Sequence, residues 1–474
     1  MLPQVPPGTK PLVSTLRTEP GLLHMEKNLT TGSVLRNVLY FSLPYLLSYF
    51  LQLLYGMADL FIIGQYEGAA STTAVSVGSQ VMHMITVMIV GLAMGTTVSI
   101  GRAIGAQDHK KISAVIGNTV SLFMAVSIAL MVVFLALVRP IVAVMSTPEE
   151  AVAGTTAYLT ICFIGIPCIT AYNIISSIFR GMGDSKSPMY FIAVACVANI
   201  ALDYLFIGAM GLGPAGAALG TTLSQAISVV VSLVVILKRE TGIKLHRRDL
   251  RPRRGILQQI LKIGLPVAFQ DGFIQIAFLV ITIIANRRGL SDAAAVGIVE
   301  KVISFLFLVP SSMLSTVSAL GAQNIGAGKH DRAARTLRYA ILIATGFGFC
   351  VSILMQWIAE PVVGLFTTDA VVVVAGGQYI RGYIWDCLFA GIHFSFSGYF
   401  CAYGRSEISF LHNICAILLM RIPGVYLMSV LFPDTLLPMG LATVCGSVLS
   451  VLICVGAYLY LKRRGCFSGA AVQV

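Results

Sequence analysis

The chain has 474 residues, of which 57% are hydrophobic and 11% charged. Soluble domains usually carry about 25% charged residues, so a soluble multidomain enzyme is excluded. The net charge of +12 does not point to nucleic acid, because Lys and Arg are spread over short loops between apolar runs rather than gathered on one folded face.

Residues 1–32 are polar and Pro-rich and are expected to form a disordered cytoplasmic tail, with no signal peptide. Apolar runs follow over 38–64, 72–101, 112–138, 155–180, 188–207 and 215–237. A basic linker over 238–257 is expected to be a solvated cytoplasmic connector. Six more runs occupy 258–285, 294–322, 334–358, 375–402, 408–431 and 438–461, before a short tail over 462–474. Each run is long enough to cross a hydrocarbon core of about 30 Å as a helix. In lipid only helices or closed barrels satisfy the backbone, and a barrel would alternate polar and apolar residues. The sequence therefore predicts an all-α integral membrane fold of about twelve transmembrane helices.

The two halves repeat each other. Ile104-Gly105-Ala106 returns as Ile325-Gly326-Ala327, and Phe179 and Gly183 return as Phe400 and Gly404, all 221 residues later. Leu43-Pro44 returns as Leu265-Pro266, one residue off that register. An N-lobe over 33–237 and a C-lobe over 258–461 follow. Six spans per half bring both halves in from the same face, with a pseudo-twofold axis along the membrane normal.

Lys and Arg fall on one side of the spans, in the loops around 102–111 and 180–186, the central linker, the loop around 329–335 and the final tail. The positive-inside rule makes that side cytoplasmic and puts both termini inside. Arg139, Arg287 and Arg288 are the main exceptions. The ten cysteines are scattered, with no C-x-x-C pair, and read as small buried residues, not as disulfides or a zinc site. Gly211-Leu-Gly213-Pro-Ala-Gly216 matches G-x-G-x-x-G, but it lies in a short loop between spans with no strand before it, so a tight turn and close helix packing through Gly216 and Gly220 are expected instead. No phosphate-cradling G-x-x-x-x-G-K-[ST] motif is present to drive transport by ATP.

Ionisable residues inside the spans carry the chemistry, since an intramembrane charge costs several kcal/mol. Gln52, Tyr55 and Asp59 share one face of the first span. Asn199 and Asp203 lie one turn apart in the fifth, and Thr221 lies early in the sixth. At about 1.5 Å per residue, Asp59, Asp203 and Thr221 reach a similar depth, near the extracellular third, and are expected to share a pocket in the N-lobe. The competing reading is a hydrogen-bond network that only glues helices. The repeat argues against it, because Asp59 maps onto Val280 and Asp203 onto Gly424, and a pure scaffold would recur in both halves.

The stretches LPYLLSYFLQLLYGMADLFIIGQ, FRGMGDSKSP and NIALDYLFIGAMGLGPAGAALGT resemble the MATE (multidrug and toxic compound extrusion) family, in particular its DinF-like branch, across residues 33–461. The resemblance implies two six-helix lobes, alternating access, and export of lipophilic organic cations by antiport with H⁺ or Na⁺. It makes Asp59 the first-helix carboxylate of the cation site, Asn199 and Asp203 the fifth-helix pair, Thr221 the sixth-helix hydroxyl and Asn173 a fourth-helix amide. Gln52 and Tyr55 line the same site, a Na⁺ ion would sit at Asp59 and Asp203, and Pro44 is the first-helix proline associated with bending. It implies no cofactor beyond the coupling ion, and a monomer in the plasma membrane. The chain departs from another branch in the seventh helix, where Gln275 stands in place of an acid and Asp271 lies one turn earlier. Glu300 is expected to pair with Lys301; Asp386, Arg381, His83 and His393 are secondary candidates, the histidines as packed, hydrogen-bonded residues. A flippase for lipid-linked oligosaccharides is the alternative within the superfamily, but it needs a cationic cavity and the predicted one is acidic. An integral-membrane enzyme would need clustered His-rich motifs, which seven scattered His do not supply.

Overall fold

The computed structural model describes residues 28–238 and 246–467, almost all of them helical, in twelve rods. The first half comprises α1 (Val34–Tyr66), α2 (Ala69–Gly105), α3 (His109–Val144), the pair α4 (Glu149–Ile164) and α5 (Ile166–Gly181), α6 (Lys186–Asp203) with a π-helical turn Tyr204–Ala209, and α7 (Gly213–Lys238). The second half comprises α8 (Arg254–Asn286), the pair α9 (Leu290–Leu306) and α10 (Leu308–Gly326), α11 (His330–Gly364), and the pair α12 (Ala370–Tyr383) and α13 (Trp385–Ala402). It ends with α14 (Ser406–Ala416), a π-helical turn Ile417–Arg421 that leads into α15 (Ile422–Leu431), and α16 (Leu437–Arg463).

Each rod contains one predicted run and extends it into polar residues that cap the helix. Asp108 accepts the Lys111 backbone N–H at 3.0 Å, and Asp369 accepts that of Val371 at 2.9 Å. Ten rods are long and apolar enough to span a membrane, and α4–α5, bent by 50°, makes an eleventh. The twelfth, α12–α13, carries Arg381 and Asp386 in its interior.

The repeat has a structural cause. Gly183 and Gly404 both adopt positive φ, +88° and +68°, just past a helix end. There the Asp184 N–H reaches Phe179 O at 2.9 Å and the Arg405 N–H reaches Phe400 O at 2.8 Å. Such a cap favours glycine, the residue that adopts positive φ at least cost, so the Gly recurs at the same place in both halves.

The segments outside the rods depart from expectation where they are described. The expected disordered tail lies outside the described residues up to 27, but 28–32 are docked. Leu29 is 2% exposed, Lys329 Nζ donates to Thr30 O at 3.0 Å, and Arg332 Nη1 donates to Gly32 O at 2.9 Å. The linker is described from 246 onward, and there it packs on α3. Asn118 donates to Asp249 O at 3.1 Å, and its side-chain oxygen accepts the Arg253 N–H at 2.6 Å. Residues 239–245 and 468–474 lie outside the described part. Arg288, on the wrong side for the charge rule, is a structural clamp: it pairs with Asp292 at 2.7 Å and donates to Ser429 O and Pro433 O, both at 2.7 Å.

Two helices belong to both lobes. The start of α1 (Val34, Val38, Phe41) packs in the C-lobe with Met313, Leu337 and Ala340, whereas Ile62 and Ile63 at its other end pack in the N-lobe with Val75 and Phe163. Helix α8 does the reverse: Ile260 and Ala268 pack on N-lobe residues Leu92 and Val115, and Ile281 and Ile284 on C-lobe residues Val299 and Tyr383. Pro44 lies inside α1 between its two packing sites, and Pro266 lies inside α8 within the segment that packs on the N-lobe.

The lobes meet at the basic end. Here backbones approach too closely for any side chain. A Cβ on Gly105 would lie 2.0 Å from Gln323 O, one on Gly326 would lie 2.1 Å from Arg102 O, and one on Gly95 would lie 2.1 Å from Ile260 O. Arg102 donates across the seam to Ala402 O at 2.7 and 3.0 Å, and Gln323 Nε2 donates to Gly181 O at 3.1 Å. The seam is closed at this end. Gly105→Leu is expected to wedge it open. Spin labels at positions 110 and 335, with the native cysteines replaced, should show a longer distance in Gly105→Leu than in its parent.

Candidate ion-binding site in the N-lobe

Asp59 sits seven residues before the end of α1, and Asp203 is the last residue of α6. Both are enclosed, at 3% and 0% exposure. Thr221 Oγ1 on α7 donates to Asp59 Oδ2 at 3.0 Å. Asp203 and Asn199 lie beside the Asp59 carboxyl. Even so, Asp59 Oδ1, both Asp203 oxygens and both polar atoms of the Asn199 amide have no hydrogen-bond partner among the described residues. No Lys, Arg or His ion-pairs with either carboxylate among the described residues.

The local sequence explains this arrangement. The Gln52–Tyr55–Asp59 stripe turns into the lobe, with Gln52 beside Tyr172 and Tyr55 beside Tyr172 and Gln225. The π-helical turn begins directly after Asp203; such turns mark functional sites in many helices. Gly220 on α7 faces Asp203, and a Cβ there would lie 2.1 Å from Asp203 Oδ1. The two glycines read as packing residues therefore differ in role. Gly216 packs on the Phe206 backbone, whereas Gly220 makes room for the carboxylate. Asn173 is buried on α5 and commits its amide to Ile169 O at 2.8 Å on its own helix. Tyr158 and Cys162 on α4 also border Asp59; they sit in an apolar run without a polar stripe, so no signal in the sequence marks them.

Two bare carboxylates in an apolar core repel each other and lose hydration, and one proton or one small cation relieves both costs. The unsatisfied donors here are oxygens, from two carboxylates and an amide, next to a hydroxyl. That set suits a proton or a hard monovalent cation.

The C-lobe is built differently. Asp386 pairs with Arg421, at the end of the π-helical turn in the fifth rod of that lobe. Arg381 does not join them; it pairs with Glu360 at 2.9 Å. Glu300 does not pair with Lys301, because adjacent helical residues point about 100° apart; Lys301 is exposed, and Glu300 accepts from Thr282 Oγ1 at 3.3 Å. His393 is packed against Phe394 and His412, at ring distances of 4.8 and 5.5 Å, but its Nδ1 has no hydrogen-bond partner. His83 lies on an exposed part of α2.

The profile of the MatE family matches residues 44–205 and again 266–427, the two halves of the chain. This chain belongs to the MATE family. It is 26% identical over 439 residues to Probable multidrug resistance protein YoeA of Bacillus subtilis (strain 168), covering 91% of this chain and 95% of that protein. Multidrug export protein MepA of Staphylococcus aureus (strain MRSA252) is 26% identical over 406 residues, covering 84% and 88%. A crystal structure of MATE in complex with MaL6 superposes with a TM-score of 0.85 at 24% identity, over 94% of this chain and 98% of that one. The outward-facing conformation of a multidrug resistance MATE family transporter gives 0.85 at 23%, over 95% and 99%. The twelve rods of this MATE transporter thus form the two-lobed fold of the family, in a protein that crosses the membrane many times and whose relatives handle small molecules.

Gly220→Ala should displace Asp203 and abolish ion-driven transport in reconstituted vesicles. Gly56→Ala, at a position with open space on the helix that carries Asp59, should transport normally. Arg421→Met strands Asp386 as a buried unpaired charge and should cost about 3–5 kcal/mol, measured as a lower thermal midpoint in detergent. Arg421→Met with Asp386→Leu should recover most of that loss.

Proposed function

We propose that this MATE transporter exports lipophilic organic cations by antiport with H⁺ or Na⁺, as a monomer in the plasma membrane with both termini in the cytoplasm. One observation carries the reading: Asp59 and Asp203 lie together in an enclosed core with no ion-pair partner among the described residues. Such a pair is poised to take up and release one cation per cycle. The multidrug names of the relatives support drug-like small molecules as the cargo.

With the basic end taken as cytoplasmic, the lobe seam is shut on that side, and the ion enters from the other. An ion entering from outside neutralises the pair. Thr221, Asn199 and the face of α1 that bears Asp59 then rearrange. The far end of α1 packs in the other lobe, so that change reaches the lobe contact through the segment around Pro44. The driving force suffices. One charge crossing about 100 mV supplies about 2.3 kcal/mol, or roughly a fiftyfold gradient of an uncharged substrate. A cationic substrate leaving one for one cancels that charge movement, so its export draws on the ion gradient alone.

Inverted vesicles loaded by imposed pH and sodium gradients, applied separately, test this. One of the two gradients should drive ethidium uptake, and Asp59→Asn should abolish the driven component while the protein remains folded and inserted. Gradient-independent uptake, or full driven uptake by Asp59→Asn, would contradict the proposal.

A further inference from the structure

The enclosed carboxylates leave open where a drug-sized cation is held. In this conformation Asp203 Oδ1 is so close to the α7 backbone that Gly220 has no space for a methyl group. A third carboxylate has a different setting. Asp271 on α8 has no hydrogen bond and no ion pair among the described residues, yet it is only half-buried. Its Oδ2 packs toward α2 of the other lobe, where a Cβ on Gly91 would lie 2.9 Å from it. Other carboxylates in or near the spans are compensated: Asp292 by Arg288, Glu360 by Arg381, Asp386 by Arg421, Glu300 by the Thr282 hydroxyl. A structural carboxylate would be paired in the same way, because a lone one inside a membrane protein is costly.

The repeat shows what faces it. Asp271 follows Pro266 by five residues, as Tyr49 follows Pro44. The two are equivalent positions of the two halves, on the helices that cross the seam, and Tyr49 lies within electrostatic reach of Asp271. Tyr49 is the end of a hydroxyl chain across the lobes: Ser315 Oγ donates to Tyr45 Oη at 2.9 Å, and the Tyr45 and Tyr49 hydroxyls are 3.0 Å apart. The Tyr45 and Tyr49 rings meet edge to face at 4.8 Å. Arg180 sits 5.1 Å from the Tyr45 ring centre and does not ion-pair with Asp271.

We propose that Asp271, with the Tyr45–Tyr49 pair, is the anchor for the positive charge of the transported substrate, so that drug and coupling ion occupy different carboxylates. This rests on the organic-cation reading above. A carboxylate beside the Tyr49 ring attracts a flat lipophilic cation by Coulomb and cation–π interactions together, while Tyr45, buried and covered by Arg180, holds the Tyr49 hydroxyl in place. Arg180 nearby repels a second positive charge, which makes the class monovalent. Because the site lies where both crossing helices pass their prolines, closure of the lobes around it changes both its walls at once.

The test is ethidium binding to the purified full-length protein by fluorescence anisotropy. Asp271→Asn is expected to weaken binding about tenfold or more, corresponding to loss of one favourable charge interaction. Asp271→Glu, which keeps the charge, should bind within about threefold of wild type, and that rescue separates an electrostatic role from a packing one. Gly56→Ala, at a position with open space, should also bind within about threefold of wild type. Wild-type affinity in Asp271→Asn overturns this inference alone. Equal losses in Asp271→Asn and Asp59→Asn place the drug on the N-lobe carboxylates and overturn it as well. Absence of ethidium binding by the wild-type protein defeats the organic-cation reading and this inference with it.

Discussion

Two acids held together in an apolar lobe, with no basic side chain among the described residues to balance them, set the terms for the rest of this structure. Most proteins avoid such a pair, because each charge loses its hydration and repels the other. Here the surroundings preserve it. Gly220 lets Asp203 approach α7, the π-helical turn follows directly after Asp203, and Thr221 gives Asp59 a single hydrogen bond. The remaining oxygens stay unsatisfied. One proton or small cation would relieve that cost, which is the basis of the coupling proposed above.

In the proposed cycle, the two crossing helices connect that site to both lobes. If α1 packed within one lobe only, neutralising Asp59 would rearrange that lobe alone. Its first turns are instead part of the other lobe's apolar cluster, and α8 mirrors it. The seam they cross is closed at the basic end by glycines pressed against carbonyl oxygens, and by Arg102 and Gln323 donating across it. Contacts of this kind are short-ranged, so a small displacement breaks many of them together. The C-lobe keeps the same scaffold, including a broken fourth rod and a π-helical turn in the fifth, but Arg421 fills the electrostatic role there within the chain. This accounts for the absence of acids at Val280 and Gly424: the halves share architecture and differ in charge.

Much of this was legible in the sequence. The twelve rods follow from the apolar runs, because lipid leaves the backbone few alternatives. The Gly183 and Gly404 caps and the two prolines declared the repeat. The meeting of Asp59, Asp203 and Thr221 followed from depth and helix face alone. What was not legible depends on tertiary contact. Docking of residues 28–32 is fixed by Gln323, Lys329 and Arg332, some three hundred residues away. Tyr158 and Cys162 border the site from an apolar run, and nothing along α4 distinguishes them from lipid-facing neighbours. Glu300 and Lys301 looked like a pair because they are adjacent, but helix geometry sends adjacent residues apart.

The central claim is that Asp59 and Asp203 act as one ion-binding unit. A double-mutant cycle with Asp59→Asn and Asp203→Asn on ion-driven transport, at matched expression, tests it most directly. If one ion is shared between them, either single variant removes the coupling and the double variant loses little more, so the effects are strongly non-additive. Two independent losses that multiply in the double variant would place the carboxylates in separate networks and contradict the account.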